Sequence, residues 1–172
     1  VSNGYGIVVG AGAQETISIS DGATGITPEL QVLGTATVDS TILLAAFSAT
    51  ATNAAAPGVA FAKGGHAAIG SHTVVTDGEI LGNITAFGDN GTDLLSSAAQ
   101  IQFVVDGEPT TGGDATDMPG RIVFKTTTNA SETLTERLRI DNAGDATFTG
   151  AILLKDDEKI IFGDGSDASL EY

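Results

Sequence analysis

Apolar and polar residues alternate with a period of two along much of this chain, and Asp-Gly and Asn-Gly punctuation breaks the alternation at short, fairly even intervals. Successive side chains of a strand point to opposite faces, so this period predicts half-buried β-strands. In the segment QIQFVVD at 100–106, Ile101, Phe103 and Val105 share one face. In RLRID at 137–141, Leu138 and Ile140 are expected to face inward and the charges outward, in an alternation running from Leu134. Residues 118–149 combine a Pro-Gly turn, an alternating strand, a polar Thr/Asn/Ser excursion, a second alternating strand and an Asp-Asn-Ala-Gly turn. Segments 31–33, 80–87 and 159–162 are further predicted strands. The turns fall at Asp21-Gly22, Asp77-Gly78, Asp89-Asn90-Gly91, Asp106-Gly107, Asn142-Ala143-Gly144 and Gly163-Asp164-Gly165. Such residues accept left-handed backbone or bond their own chain through a short side chain. Many short strands with regular turns predict an all-β chain.

Two segments compete with that reading. Residues 42–56 are rich in Ala, the best helix former, but Thr, Ser and Asn interrupt them and Pro57-Gly58 closes them. The expectation is a strand over 41–48 and a loop over 49–57. Ser131 could cap one helical turn, yet the alternation beyond Leu134 favours strand there too. Heptads are absent. Three units follow: a Gly/Ala/Ser-rich lead-in over 1–27 with a strand pair at 7–9 and 16–19, a main β module over 28–150, and a strand-turn-strand unit over 151–172.

Composition then limits the core. Of the 172 residues 41% are hydrophobic, but many are Ala; aromatics are 5%, Trp is absent and Gly occurs 23 times. A large apolar side chain gains roughly 1.5–3 kcal/mol on full burial, and Ala and Gly gain far less. Partner subunits are therefore expected to supply the missing interior. Seven basic residues against 22 acidic ones give a net charge of −15. Phosphate backbones are bound by Lys and Arg, so neither nucleic acid nor an anionic membrane is an expected partner. No Cys is present, which removes disulfides and thiolate chemistry. No apolar run reaches the ~20 residues of a membrane helix. The first residues lack a signal-peptide pattern and an initiator Met, and the last stop inside a strand-like pattern, as in a segment of something longer.

Candidate chemistry is sparse. His66 and His72 could bind a metal near a symmetry axis, but a site needs a third ligand, and loop or strand-edge histidines are the reading preferred. The clusters Asp89-Asn-Gly-Thr-Asp93, Asp114-Ala-Thr-Asp117 and Asp164-Gly-Ser-Asp167 offer oxygen ligands for a hard cation. None completes a calcium loop, and turn chemistry explains them. Glycan cleavage needs two carboxylates at a set separation across a sugar. Asp156-Asp157-Glu158 lies in a turn, and Tyr5 and Tyr172 alone make a poor sugar platform. The glycines of 4–12 lack the following helix of a dinucleotide site. The tripeptides at Asn83, Asn90 and Asn129 match a glycosylation pattern that Thr-rich chains produce by chance. No catalytic, cofactor-binding or metal residue is nominated, and the chain is expected not to be an enzyme.

The ordered wording of the main module resembles tail-fibre proteins of bacterial viruses, in regions that often precede an intramolecular chaperone domain. The matching pieces are PELQVLGT at 28–35, LLAAFS at 43–48, AFAKGG at 60–65, GSHTVVTDG at 70–78 and Leu81-Gly82 with Phe87-Gly88 and Gly91-Thr92-Asp93. AAQIQFVVDGEP at 98–109, MPGRIVF at 118–124 and ERLRID at 136–141 complete the set. Phe162-Gly163-Asp164-Gly165-Ser166-Asp167, followed by Ser169-Leu170-Glu171-Tyr172, resembles a repeat in fibres of marine phages. One departure is the segment 145–150, DATFTG, where the family continues with a Gly-Ile-Gly-Thr type stretch.

The resemblance implies an all-β, elongated, intertwined or β-helical homotrimeric fibre of many short strands. It implies a structural segment of a virion tail fibre that projects and orients receptor-binding elements for host adsorption. The expected partners are two further copies, other tail or baseplate proteins and a host receptor at the tip, with no cofactor and no membrane insertion. A receptor-binding module or a capsid or collar appendage is the alternative. A cell-surface β-solenoid adhesin, hinted at by Thr35-Ala-Thr37, Thr50-Ala-Thr52 and Thr147-Phe-Thr149, is a more distant one.

Overall fold

A computed structural model describes residues 7–9, 19–20, 25–26, 30–33, 40–45, 47, 56–109 and 116–156. Every regular element among them is a strand and none is a helix. The short strands β1 (Ile7–Val9), β2 (Ile19–Ser20), β3 (Gly25–Ile26) and β4 (Leu30–Val32) come first. β5 (Ile80–Gly88), β6 (Ser96–Val105), β7 (Gly120–Thr127), β8 (Leu134–Ile140) and β9 (Ala146–Phe148) follow. The last five form one antiparallel sheet in chain order, each strand bonded to the next, so β5 and β9 are its edges.

Local chemistry closes the hairpins. At the β5–β6 turn Gly91 takes φ 90°, and at the β8–β9 turn Gly144 takes φ 89°, both in the left-handed region that Gly enters without a Cβ penalty. The Asp141 carboxylate accepts from the backbone N–H of Ala143 (3.0 Å) and Asp145 (2.9 Å). Between β7 and β8, Ser131 caps no helix; its hydroxyl accepts from Thr133 N–H (3.1 Å) in a side-chain turn.

The register separates the two faces. Directly paired residues lie on the same side of a sheet. Ile84, Ile101, Phe124, Leu138 and Phe148 therefore form one row across all five strands. Gly82, Phe103, Ile122, Ile140 and Ala146 form the next. The opposite face carries the row Asn83, Gln102, Val123, Arg139 and Thr147. One face is apolar; the other is mixed, carrying Asn83, Arg121 and Arg139 together with the buried Val104 and Val123.

Four expectations change. Residues 41–45 and 47 form no strand, and Ile42, Leu43 and Phe47 (99% exposed) lie in solvent. A strand exists only where a partner takes its backbone groups, and propensity cannot supply that partner. β1 pairs parallel with β4, and β2 pairs with β3, so the segments at 7–9 and 19 do not pair with each other; residues 16–18 lie outside the described residues. The alternation from Leu134 is split because the register skips Arg137, which sets Leu134 opposite Thr127 on the mixed face. Leu138 and Ile140 share a face with Arg139 opposite, but that face is open and Ile140 stays 39% exposed. The strand at 159–162 lies outside the described residues.

The core is thin. Among the described residues the buried hydrophobic side chains are Val75, Val104, Val105 and Val123. On the apolar face, part of the cover is Phe61, which stacks on Phe103 with ring centroids 6.0 Å apart. Lys63 anchors that excursion by an ion pair to Glu79 (2.8 Å) just before β5. Phe61 lies where Gly82 leaves space: a Cβ on Gly82 would sit 2.5 Å from Phe61 Cβ and Cγ. Gly82→Ala must therefore displace the ring and lose about 1–3 kcal/mol in urea unfolding. Adding Phe61→Ala should remove most of the extra cost of the methyl group. A neutral G82A, or equal costs of the methyl in both backgrounds, would refute this packing.

Candidate functional site

The largest chemically distinct surface of the sheet is its apolar face. Both rows just described are free of ionisable side chains. A hollow of about 350 Å3 opens on this face, lined by Ile84, Ala86, Ala99, Ile101, Phe124 and Thr126, with Thr85, Gln100 and Lys125 also contributing to it. Two alanines directly paired across β5 and β6 leave the depression between bulkier neighbours. Ile84 remains 54% exposed and Phe148 47%. Arg137 reaches the border of the strip, its Nε donating to Thr126 Oγ1 (2.9 Å). This site can bury apolar surface; it holds no group positioned to move a proton.

At one end of the sheet Asp106 is a hub. Its carboxylate accepts from Arg121 Nη1 and from the Asn142 backbone N–H (2.9 Å), and its own N–H donates to Pro119 O (2.9 Å). Asn142 Nδ2 donates to the Asp106 carbonyl, and the next residue, Gly107, donates its N–H to the Asp77 carboxylate (2.8 Å). The end of β6, the start of β7 and the β8–β9 turn meet at Asp106, and its neighbour Gly107 ties in the lead into β5.

These bonds hold the Asp106 carboxyl below its ordinary value of 3.8, the Asn142 N–H contributing most and Arg121 next. The Lys63 ammonium and then the Thr76 N–H likewise hold the Glu79 carboxyl below 4.5. A depressed carboxylate stabilises the fold above its unfolded pKa, and that stabilisation is lost as pH falls through the folded value.

Asp89, Asn90 and Asp93 are spent on the β5–β6 turn, whereas Asp117 Oδ1 is buried with no hydrogen-bond partner. Asp89 Oδ1 accepts from Gly91 N–H (2.7 Å), and Asn90 Oδ1 from Thr92 (2.9 Å) and Asp93 (3.1 Å). Asp93 Oδ1 accepts from Leu95 N–H (3.0 Å). His66 and His72 are both exposed on the same excursion, where Gly65 N–H bonds Thr73 O (2.9 Å), and His66 Nδ1 accepts from Ala68 N–H (2.9 Å). Among the described residues no three His, Cys, Asp or Glu side chains converge. Asp117 and Asp156 are described; Asp114, Asp157, Glu158, Asp164 and Asp167 lie outside the described residues, as do the glycines of 4–12. Asn83 lies on the mixed face of β5, with Asn90 and Asn129 in turns.

Beside the β5–β6 turn a cleft of about 610 Å3 is lined by Asn90, Asp93, Ser96, Ser97, Glu132 and Thr133, with two leucines. It has no Tyr, Trp or Arg in its lining, and Asn90 and Asp93 are committed to the turn. Sequence reading passed over the Asp106 hub and treated Asp106-Gly107 as a turn alone. The available signal was an acid leaving one strand opposite an Arg entering the next.

No family model matches the chain, and no curated protein matches it. Among solved structures the chain is similar to the carboxy-terminal domain of the L-shaped tail fibre of bacteriophage T5, with a TM-score of 0.50 and 19% identity. The match covers 77% of this chain and 45% of that one, so this chain spans less than half of that structure's length. The likeness is one of fold: an all-β architecture of the tail-fibre type.

Asp106→Asn is expected to cost about 1–2 kcal/mol in denaturant unfolding at neutral pH, because it weakens charge-assisted bonds to Arg121 and Asn142. Wild type should lose stability as pH falls below about 4, and D106N should lose less over the same window. Parallel pH profiles for the two would contradict the hub.

Proposed function

We propose that this chain is a structural segment of a bacteriophage virion tail fibre, built as a homotrimer. Its role is mechanical: it projects and orients the elements that contact the host receptor during adsorption. Other tail or baseplate proteins hold it on the virion, and no side chain is assigned a catalytic role. The fold likeness to a tail-fibre domain supports the reading, but one observation carries it. Ile84, Ile122, Ile140 and Phe148 sit exposed on a face that a self-contained domain would cover.

Monomeric proteins rarely leave a contiguous apolar patch beyond a few hundred Å2 open, and sheets protect their edges with charge, Pro or cover. β5 presents nine residues at an edge with no charge and no Pro. Assembly of identical chains answers both needs. The acidic surface, at −15 per chain, keeps finished fibres apart and soluble.

Sedimentation and electrophoresis in dodecyl sulfate, with and without boiling, test the proposal. The expected result is a species of three times the 17.2 kDa chain mass that collapses to the single chain on heating. A stable, monodisperse monomer at micromolar concentration would overturn it.

A further inference from the structure

If copies of this chain assemble, they must meet on a definite surface. We infer that the apolar face of the β5–β9 sheet is that surface: each copy turns the hollow over Ala86 and Ala99 toward identical copies around a shared axis. The inference rests on the fibre reading and adds the place of contact to it.

Charge selects a second copy as the occupant. Around a rotation axis equivalent residues approach one another, so any acid near the axis faces its own duplicate. With 22 acidic residues in the chain, few surfaces are free of that repulsion. The rows through Ile84 and Gly82 carry no ionisable group, whereas the opposite face presents Arg121, Lys125, Glu136 and Arg139. Arg137, outside both rows, is tied down at the border of the strip by its bond to Thr126. A basic partner would seek carboxylates, and these rows offer it none. An anionic lipid surface would need a basic rim, and the chain has seven basic residues in all.

Area sets a second condition. Two residue rows across five strands spaced about 4.8 Å apart give a strip on the order of 400 Å2. A stable pair buries about 800 Å2 on each partner. The strip is therefore the centre of the contact and not its whole extent.

The test exploits residues that are open in the single chain. Ile84→Glu places an acid on the strip, Asn83→Glu places one on the opposite face of the same strand, and Ala86→Cys introduces the chain's sole thiol. Because Ile84 is half exposed, I84E should keep the wild-type circular dichroism. It should dissociate to the 17.2 kDa chain at concentrations where wild type and N83E remain assembled, a tenfold or greater loss of association. A86C treated with a short bismaleimide should give cross-linked bands, and Asn83→Cys should give none. If I84E fails to fold, the cross-linking decides the matter. A folded I84E that stays assembled, or an assembled A86C that does not cross-link, overturns the placement while the fibre reading stands. A monomeric wild type overturns both.

Discussion

A β-sheet has two faces, and each apolar face must be covered by something. Here the register of a five-stranded antiparallel sheet, despite bulges, gathers Ile84, Ile101, Phe124, Leu138 and Phe148 on one side. Among the described residues no element is a helix, and Ile84 and Phe148 of that row stay about half exposed. Phe61 covers the neighbouring row at Gly82 and Phe103 and leaves the rest open. Burying such side chains is the main driving force of folding and association alike. Among the described residues the buried apolar side chains are few and the Ile84 row stays largely open.

The polar residues serve the same architecture. The Asp-rich turns could pass for cation sites, yet their oxygens accept backbone N–H groups two or three residues away. Asp106 extends this from one turn to three segments, and the Asn142 N–H and Arg121 hold its carboxyl below the ordinary value. Acid in this chain does two jobs: at turns it replaces missing backbone partners, and elsewhere it keeps the surface soluble. Both suit a rigid appendage.

The strands at 80–87, 100–106, 118–127 and 134–140 were legible because period-two alternation is a direct image of the pleat. The turns were legible because Gly91 and Gly144 stand where φ is positive. The residues at 41–48 misled because their β-branched and apolar content fits a strand, while only a partner's backbone can make one. The bulge at Arg137 was invisible because a skipped residue leaves the composition of the alternation intact and changes only the register. Of the site, the sequence announced a thin core. It could not show which face stays open, since that depends on pairing among strands far apart in the chain.

Hydroxyl-radical footprinting of the native protein, read by mass spectrometry, tests the central claim at the side chains concerned. In the isolated chain Phe148 is 47% exposed and Ile84 54%, against 0% for Val105. If the apolar face is shared between copies, Phe148 and Ile84 will label as slowly as Val105 in the native protein and become reactive on dissociation. Fast labelling of both in the native protein would show the face open to water, and the account would fail.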